Sequence, residues 1–208
     1  MDEAPDMLFF EKEEQKKGRR RICGVDEAGR GPLAGPVYAS AVILNPADVI
    51  EDLDDSKKLS EKKREQLFSQ IIKRALSFCV ASASEREIDE MNILNATMLA
   101  MCRAVEGLHI VPDIVLVDGN RTPGVPVPVR TIVGGDGKSA SVAAASILAK
   151  VSRDRYMKEL GLTYPDYLFE MHKGYPTKKH VEQLLIFGPC AAHRRTFLKN
   201  ILPKERIG

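Results

Sequence analysis

The stretch Arg21–Val37, RICGVDEAGRGPLAGPV, constrains this chain more than any other. A short apolar run, Ile22–Val25, delivers two adjacent carboxylates, Asp26 and Glu27, into a turn built from Gly29, Arg30, Gly31 and Pro32. The run reads as a strand and Tyr38–Leu44 as a second, so the turn lies at the tip or shoulder of a strand pair. Successive side chains on a strand point to opposite faces. Asp26 and Glu27 can therefore serve one site only where the strand ends or bulges, which the following glycines permit. An isolated Asp-Glu before glycine is most often a solvated turn; two aspartates farther along the chain favour a site instead.

Residues 1–20 form a lead-in, either a short helix or a disordered arm, that runs into the basic cluster Lys16, Lys17, Arg19, Arg20 and Arg21. The polar segment Asn45–Leu59 contains Asp55, Ser56 and Lys57. Ser60 then caps a helix in which Leu67, Phe68, Ile71, Ile72, Ala75 and Leu76 repeat with helical period. A third strand, Ser77–Ser84, precedes a helix from about Glu85 to Leu108. Asp113–Val117 has the continuous apolar character of a buried parallel strand. It ends on Asp118-Gly119, at the strand terminus where open α/β sheets place their ligands. After the loop Asn120–Pro128, a fifth strand, Val129–Val133, leads into Gly134-Gly135-Asp136-Gly137. The helix from Lys138 to about Leu160 carries Ala140, Ala143, Ala144, Ala145 and Ala149, which favour helix and allow close approach to a sheet. Beyond Pro165 the chain is basic and irregular through Met171–Pro176, then helical over Thr177–Phe187, then basic again at His193-Arg194-Arg195. No linker divides it. One domain is expected over 1–208, with a catalytic α/β part at about 21–155 and a basic helical part at about 156–208.

Its 208 residues suffice for one well-packed core. No apolar run approaches the ~20 residues of a membrane span, and Met1–Arg21 lacks a signal-peptide stretch, so a cytoplasmic protein is expected. Cys23, Cys79, Cys102 and Cys190 are scattered without a Cys-x-x-Cys pair, as reduced and mostly buried thiols would be. The net charge of +2 conceals an asymmetry: residues 150–208 carry 12 basic against 6 acidic side chains, and residues 1–149 carry 19 against 23. A basic end beside an acidic site suits an enzyme that attracts phosphates and hydrolyses them.

Four carboxylates thus fall at element ends: Asp26, Glu27, Asp118 and Asp136. Oxygen donors with few histidines favour Mg²⁺ or Mn²⁺ over zinc. Like charges this close raise one another's pKa, and a pair of divalent ions would relieve the repulsion, activate a water and stabilise a leaving oxygen. Two other motifs fail. Gly137-Lys138-Ser139 resembles the end of a Walker loop, but the first glycine of that loop would stand at Ile132. Gly29-Arg30-Gly31 opens like a dinucleotide fingerprint, but Ala34 and Pro32 break it.

Asp26-Glu27-Ala28-Gly29-Arg30-Gly31, Asp55-Ser56-Lys57, Val117-Asp118-Gly119, Ala144–Val151 with Arg153-Asp154, and His172-Lys173-Gly174-Tyr175 together resemble the successive motifs of bacterial ribonuclease HII, the type 2 ribonuclease H. The match spans roughly residues 21–197 in order. The resemblance implies a ribonuclease H-like α/β fold, a mixed sheet flanked by helices with a C-terminal helical portion. It also implies an endonuclease that cuts RNA in RNA–DNA hybrids and at single ribonucleotides within duplex DNA, 5′ to the ribonucleotide, leaving 3′-hydroxyl and 5′-phosphate ends. By motif, Asp26, Glu27 and Asp118 would be metal ligands and Asp136 would complete the catalytic set. Gly29, Arg30 and Gly31 would read the 2′-hydroxyl through backbone groups, and Tyr175 would pack against the neighbouring sugar.

Asp154 competes with Asp136 for the fourth place, but an i,i+4 pair with Lys150 explains it sufficiently, and Asp136 is preferred. Lys57, Arg194 and Arg195 are candidate phosphate contacts or else surface charges, and His109 is read as structural. Two alternatives stand beside the ribonuclease: a related acidic-site DNA nuclease or recombinase, which would cut without a 2′-hydroxyl, and a non-catalytic hybrid-binding module. A monomer is the default expectation and no protein partner is inferred; the tail Lys199–Gly208 shows no recognisable sliding-clamp-binding motif.

Overall fold

The structure, a computed structural model, describes residues 6–203 and 206. The start of the lead-in and residues 204, 205, 207 and 208 of the tail lie outside the described residues, so the expectations about a leader and about that part of the tail find no test there. Five strands form one mixed sheet in the order β3-β2-β1-β4-β5: β1 (Ile22–Ala28), β2 (Val37–Ile43), β3 (Ser77–Ala83), β4 (Ile114–Asp118) and β5 (Val129–Ile132). The β1–β2 and β2–β3 pairs are antiparallel, and β1–β4 and β4–β5 parallel. The short turn after β1 suits an antiparallel partner, whereas parallel β4 is reached only after a long helical crossover.

That crossover is α3 (Glu85–Glu106), which covers one face of the sheet and packs on Cys23, Val25, Ala39, Ala41, Val115 and Val117. On the other face α2 (Glu61–Arg74) and α4 (Ala140–Thr163) enclose Val42, Leu67, Ile71, Ile147 and Leu148. Each such aliphatic side chain removed from water contributes about 1.5–3 kcal/mol. Every residue from Ala140 to Ala149 is buried. The alanine run allows this from the helix side and Gly24 from the strand side, for a Cβ on Gly24 would lie 2.0 Å from the Ser141 carbonyl carbon.

Helix starts follow side-chain capping. Ser60 accepts from the Lys63 amide at 3.2 Å, and Ser84 and Glu87 form a reciprocal capping box on α3. At α4 the Ser139 hydroxyl accepts from the Val142 amide and donates to Glu11 Oε1 at 2.6 Å, while Glu11 Oε1 also accepts from the Ser141 amide at 2.9 Å. Glu11 lies on α1 (Phe9–Lys16), so the lead-in is helical there and brings a carboxylate to the positive end of α4.

The expected helix from Glu85 to Leu108 is interrupted. Asn92 has φ 70° and ψ 164°, and its Oδ1 accepts from the Asn95 amide at 3.1 Å, restarting the helix. The basic C-terminal part, with α5 (Phe169–His172) and α6 (Lys178–Phe187), closes around Phe169, Met157, Leu184, Leu33 and Ala34. The boundary expected at about 155/156 falls inside α4, which runs unbroken from the sheet layer into this second cluster. Cys23 alone is buried; Cys79, Cys102 and Cys190 are half-buried, and all four are free thiols. No described helix is long and apolar enough to cross a membrane.

Candidate active site

Strand β1 neither ends nor bulges at the acidic pair. It stays in register with β2 from Cys23↔Ile43 to Ala28↔Tyr38, while its parallel pairing with β4 stops at Val25↔Val117. The strand is thus exposed along one edge only, which corrects the expectation of a terminus or bulge. Asp26 shares the α4 face with Gly24, and Glu27 shares the α3 face with Val25. Asp118, at the end of β4, reaches both sides. It borders one cavity with Asp26 and another with Glu27, Thr97, Met98 and Met101.

Asp26 is 3% exposed, and its Oδ1 accepts from the Glu27 amide at 2.7 Å. Burial, then the charges of Glu27 and Asp118, push its pKa well above the ordinary carboxylate value, against a hydrogen bond from Ser146. Ser146 Oγ lies 2.8 Å from Ser56 Oγ, tying the Asp55-Ser56-Lys57 segment to α4. Burial also raises Glu27; Arg30, 3.4 Å away, partly offsets this, and Asp118 adds to it. Asp118 Oδ1 accepts from the Gly135 amide at 2.6 Å, which seats the Gly135–Gly137 turn beside it. In that turn Asp136 is buried and raised by burial and Asp118, with Lys57 Nζ at 3.2 Å opposing. Asp154 instead accepts from Lys150 at 2.8 Å, the expected i,i+4 pair. Among the described residues, no group of three or more His, Cys, Asp or Glu is arranged to hold a metal ion as it stands.

The Gly29–Gly31 loop forms the other wall of this cavity of about 460 Å³, with Tyr175, Ser56, Lys57 and Lys150. Gly29 has φ +94°, and a Cβ there would lie 2.0 Å from Arg153 Nε. A Cβ on Gly31 would meet the half-exposed Tyr175 ring at 3.7 Å, so loop and ring are neighbours. Arg194 is no surface phosphate contact. It is fully buried and donates to the carbonyls of Gly29 (2.6 Å), Arg30 (3.0 Å) and Gly35 (2.8 Å). Burial, then the charge of Arg153, lowers its pKa to about 9. Arg153, equally deep, donates to Ala34, Pro36 and Lys173 carbonyls and so joins the loop to the segment bearing Tyr175. Sequence reasoning missed both struts, for Arg153 stands beside Asp154 and Arg155 and Arg194 between His193 and Arg195, polar neighbours that give no sign of burial. The Arg195 amide donates to Asp89 at 2.7 Å. His109 Nδ1 lies 3.0 Å from Ser77 Oγ.

A chain of neutral histidines behind Tyr175 was also missed. His180 Nδ1 lies 2.9 Å from the Tyr175 carbonyl and must donate to it, leaving Nε2 to accept. His193 Nδ1 accepts from the Cys190 amide at 3.0 Å, so its Nε2 carries the proton offered to His180 Nε2 at 3.1 Å. His172 stacks on His180 at 4.3 Å. Burial lowers His180 to about 4 and His193 to about 3.

Comparison with known proteins agrees with this architecture. A family model described as Ribonuclease HII matches residues 23–200. A ribonuclease HII of Caldicellulosiruptor saccharolyticus is 56% identical over 199 residues, covering 95% of this chain and 97% of the relative. One from Burkholderia lata is 59% identical over 176 residues, 85% of this chain and 82% of the relative. The crystal structure of ribonuclease H2 from Pyrococcus horikoshii superposes with a TM-score of 0.74 at 30% identity, covering 90% of this chain and 99% of that one. The chain belongs to the ribonuclease HII family, endoribonucleases that hydrolyse the RNA strand of RNA–DNA hybrids.

Proposed function

We propose that this enzyme cuts the phosphodiester on the 5′ side of a ribonucleotide, in RNA–DNA hybrids and at single ribonucleotides embedded in duplex DNA, leaving 3′-hydroxyl and 5′-phosphate ends. The observation that carries this reading is one cavity walled by Asp26, Glu27 and Asp118 on one side and by Gly29, Arg30, Gly31 and Tyr175 on the other. Hydrolytic chemistry and a means of sensing the sugar then act on the 5′-phosphate and the 2′-hydroxyl of the same nucleotide.

The donor set fits a hard divalent cation, Mg²⁺ or Mn²⁺. Asp26, Glu27 and Asp136 are carboxylates whose ionised forms are disfavoured by burial and by Asp118, opposed at Glu27 by Arg30 and at Asp136 by Lys57. Asp26, Glu27, Asp118 and Asp136 would hold the metal after side-chain rotation, and it would supply an activated water and neutralise charge on the scissile phosphate. Lys57, whose side chain is 76% exposed at the cavity mouth, attracts a phosphate while holding Asp136. The loop amides meet the 2′-hydroxyl, the group that separates RNA from DNA, and the Tyr175 ring covers the adjoining sugar. Cytoplasmic action on genomic DNA accompanies such a substrate.

The test is Asp118→Asn with chelation of the wild type. Turnover on a hybrid should fall roughly 100-fold or more while hybrid affinity and melting temperature stay near wild type. Chelator should stop wild-type cleavage and Mg²⁺ or Mn²⁺ restore it. Full activity of Asp118→Asn would remove this residue from the site.

A further inference from the structure

We propose that Arg194 is the positioning residue of 2′-hydroxyl recognition, turning the Gly29–Gly31 backbone so that its amides face the substrate. This rests on the reading of that loop given above. In a trans peptide unit the carbonyl and the N–H point in opposite directions. Arg194 Nη2 holds the Gly29 carbonyl at 2.6 Å and Nη1 the Arg30 carbonyl at 3.0 Å. Those same two peptide units carry the N–H groups of Arg30 and Gly31. With both oxygens drawn onto one guanidinium beneath the loop, both N–H groups point away from it, on the side the loop turns to the cavity shared with Asp26, Asp118 and Tyr175. Neither amide donates a hydrogen bond within the protein among the described residues. Two adjacent unused donors beside the acidic cluster suit the lone pairs of a ribose hydroxyl.

The residue type follows from the task. Three carbonyls, of Gly29, Arg30 and Gly35, converge on one side chain, and only a planar guanidinium offers donors in a fixed fork. A buried charge without such partners would be costly; the charges of Glu85 and Asp89 act on Arg194, while its hydrogen bonds go to these carbonyls. Lysine keeps the charge and loses the fork. Arg153 holds different carbonyls, those of Ala34, Pro36 and Lys173, so the two peptide units that matter belong to Arg194 alone.

The experiment uses full-length Asp118→Asn enzyme, with and without Arg194→Lys. Each is titrated with a short DNA duplex containing one ribonucleotide and with the same duplex all-deoxy, and melting is recorded alongside. Arg194→Lys should weaken binding of the ribonucleotide duplex about tenfold and change all-DNA binding less than about twofold. A folded Arg194→Lys that keeps the parent's preference, or that weakens both duplexes equally, overturns the proposal. Absence of any preference in the Asp118→Asn parent overturns the loop reading itself, and the positioning role with it. Should Arg194→Lys fail to fold, amide NMR on the Asp118→Asn parent decides. Arg30 and Gly31 amide resonances that shift with the ribonucleotide duplex but not with all-DNA support the assignment, and equal or absent shifts in both overturn it.

Discussion

Arg153 and Arg194 carry charge yet are among the most deeply buried side chains of the molecule, and backbone carbonyls rather than carboxylates receive them. Nothing in the sequence announces this. Arginine is by default a surface residue, so Arg194 beside Arg195 reads as a phosphate contact, and only the fold reveals the oxygens of Gly29, Arg30 and Gly35 converging on it. The places of Asp118 and Asp136 in the fold were legible for the opposite reason: Asp118 closes an apolar run before a glycine and Asp136 lies in the glycine turn after the next strand, and strand termini are where ligands collect. The histidine chain depends on contacts among residues 172, 180 and 193 that no spacing rule connects. It has a measurable consequence. His180 and His193 have folded pKa values of about 4 and about 3, below the usual 6.5. The folded protein therefore binds fewer protons than the unfolded chain below pH 6.5, and their contribution, complete above that value, is lost as pH falls toward 3. The gap in unfolding free energy between wild type and His193→Gln should narrow from pH 7 to pH 4 in denaturant titrations. A gap that stays constant or widens would show that His193 is not held neutral.

At the scale of elements, helices and strands were readable to within two or three residues wherever periodicity and caps agreed, as at Ser60 and the Ala140–Thr163 helix. The break in α3 was not, because Ile88, Met91, Leu94 and Leu99 carry the apolar pattern straight through it. Asn92 occupies a backbone region that glycine adopts freely and other residues enter at a cost of about 1–3 kcal/mol. It is exposed and caps the second segment through Asn95, and exchanging a capping Asn for Gly costs only a few tenths of a kcal/mol. Asn92→Gly should therefore raise stability by about 1 kcal/mol, whereas Asn92→Ala, losing the cap and keeping the strain, should lower it. Thermal melts that order the two variants the other way would refute the strain. Strand β1 shows a second limit of sequence reading. Alternation correctly placed Asp26 and Glu27 on opposite faces, but not the solution, in which β1 loses β4 on one edge while β2 continues on the other.

Across the whole molecule, the sheet supplies the carboxylates and the C-terminal part supplies Tyr175 and Arg194, with α4 spanning both. The charge asymmetry of the chain, acidic over 1–149 and basic over 150–208, follows that division. The α/β class and the parallel character of β4 were visible in the sequence, because a continuous apolar run after a long helix leaves few other options. The strand order and the closing of the C-terminal part onto the loop were not, since both depend on tertiary contacts. Under the proposed function that closure joins recognition and hydrolysis in a single site, and one measurement tests it most directly: incision of duplex DNA holding one ribonucleotide, beside the same duplex without it, in Mg²⁺ and in Mn²⁺. The expected result is a single cut 5′ to the ribonucleotide and none in the all-DNA duplex. Equal cutting of both would leave the carboxylates a hydrolytic site and take from Gly29–Gly31 and Tyr175 the task proposed for them.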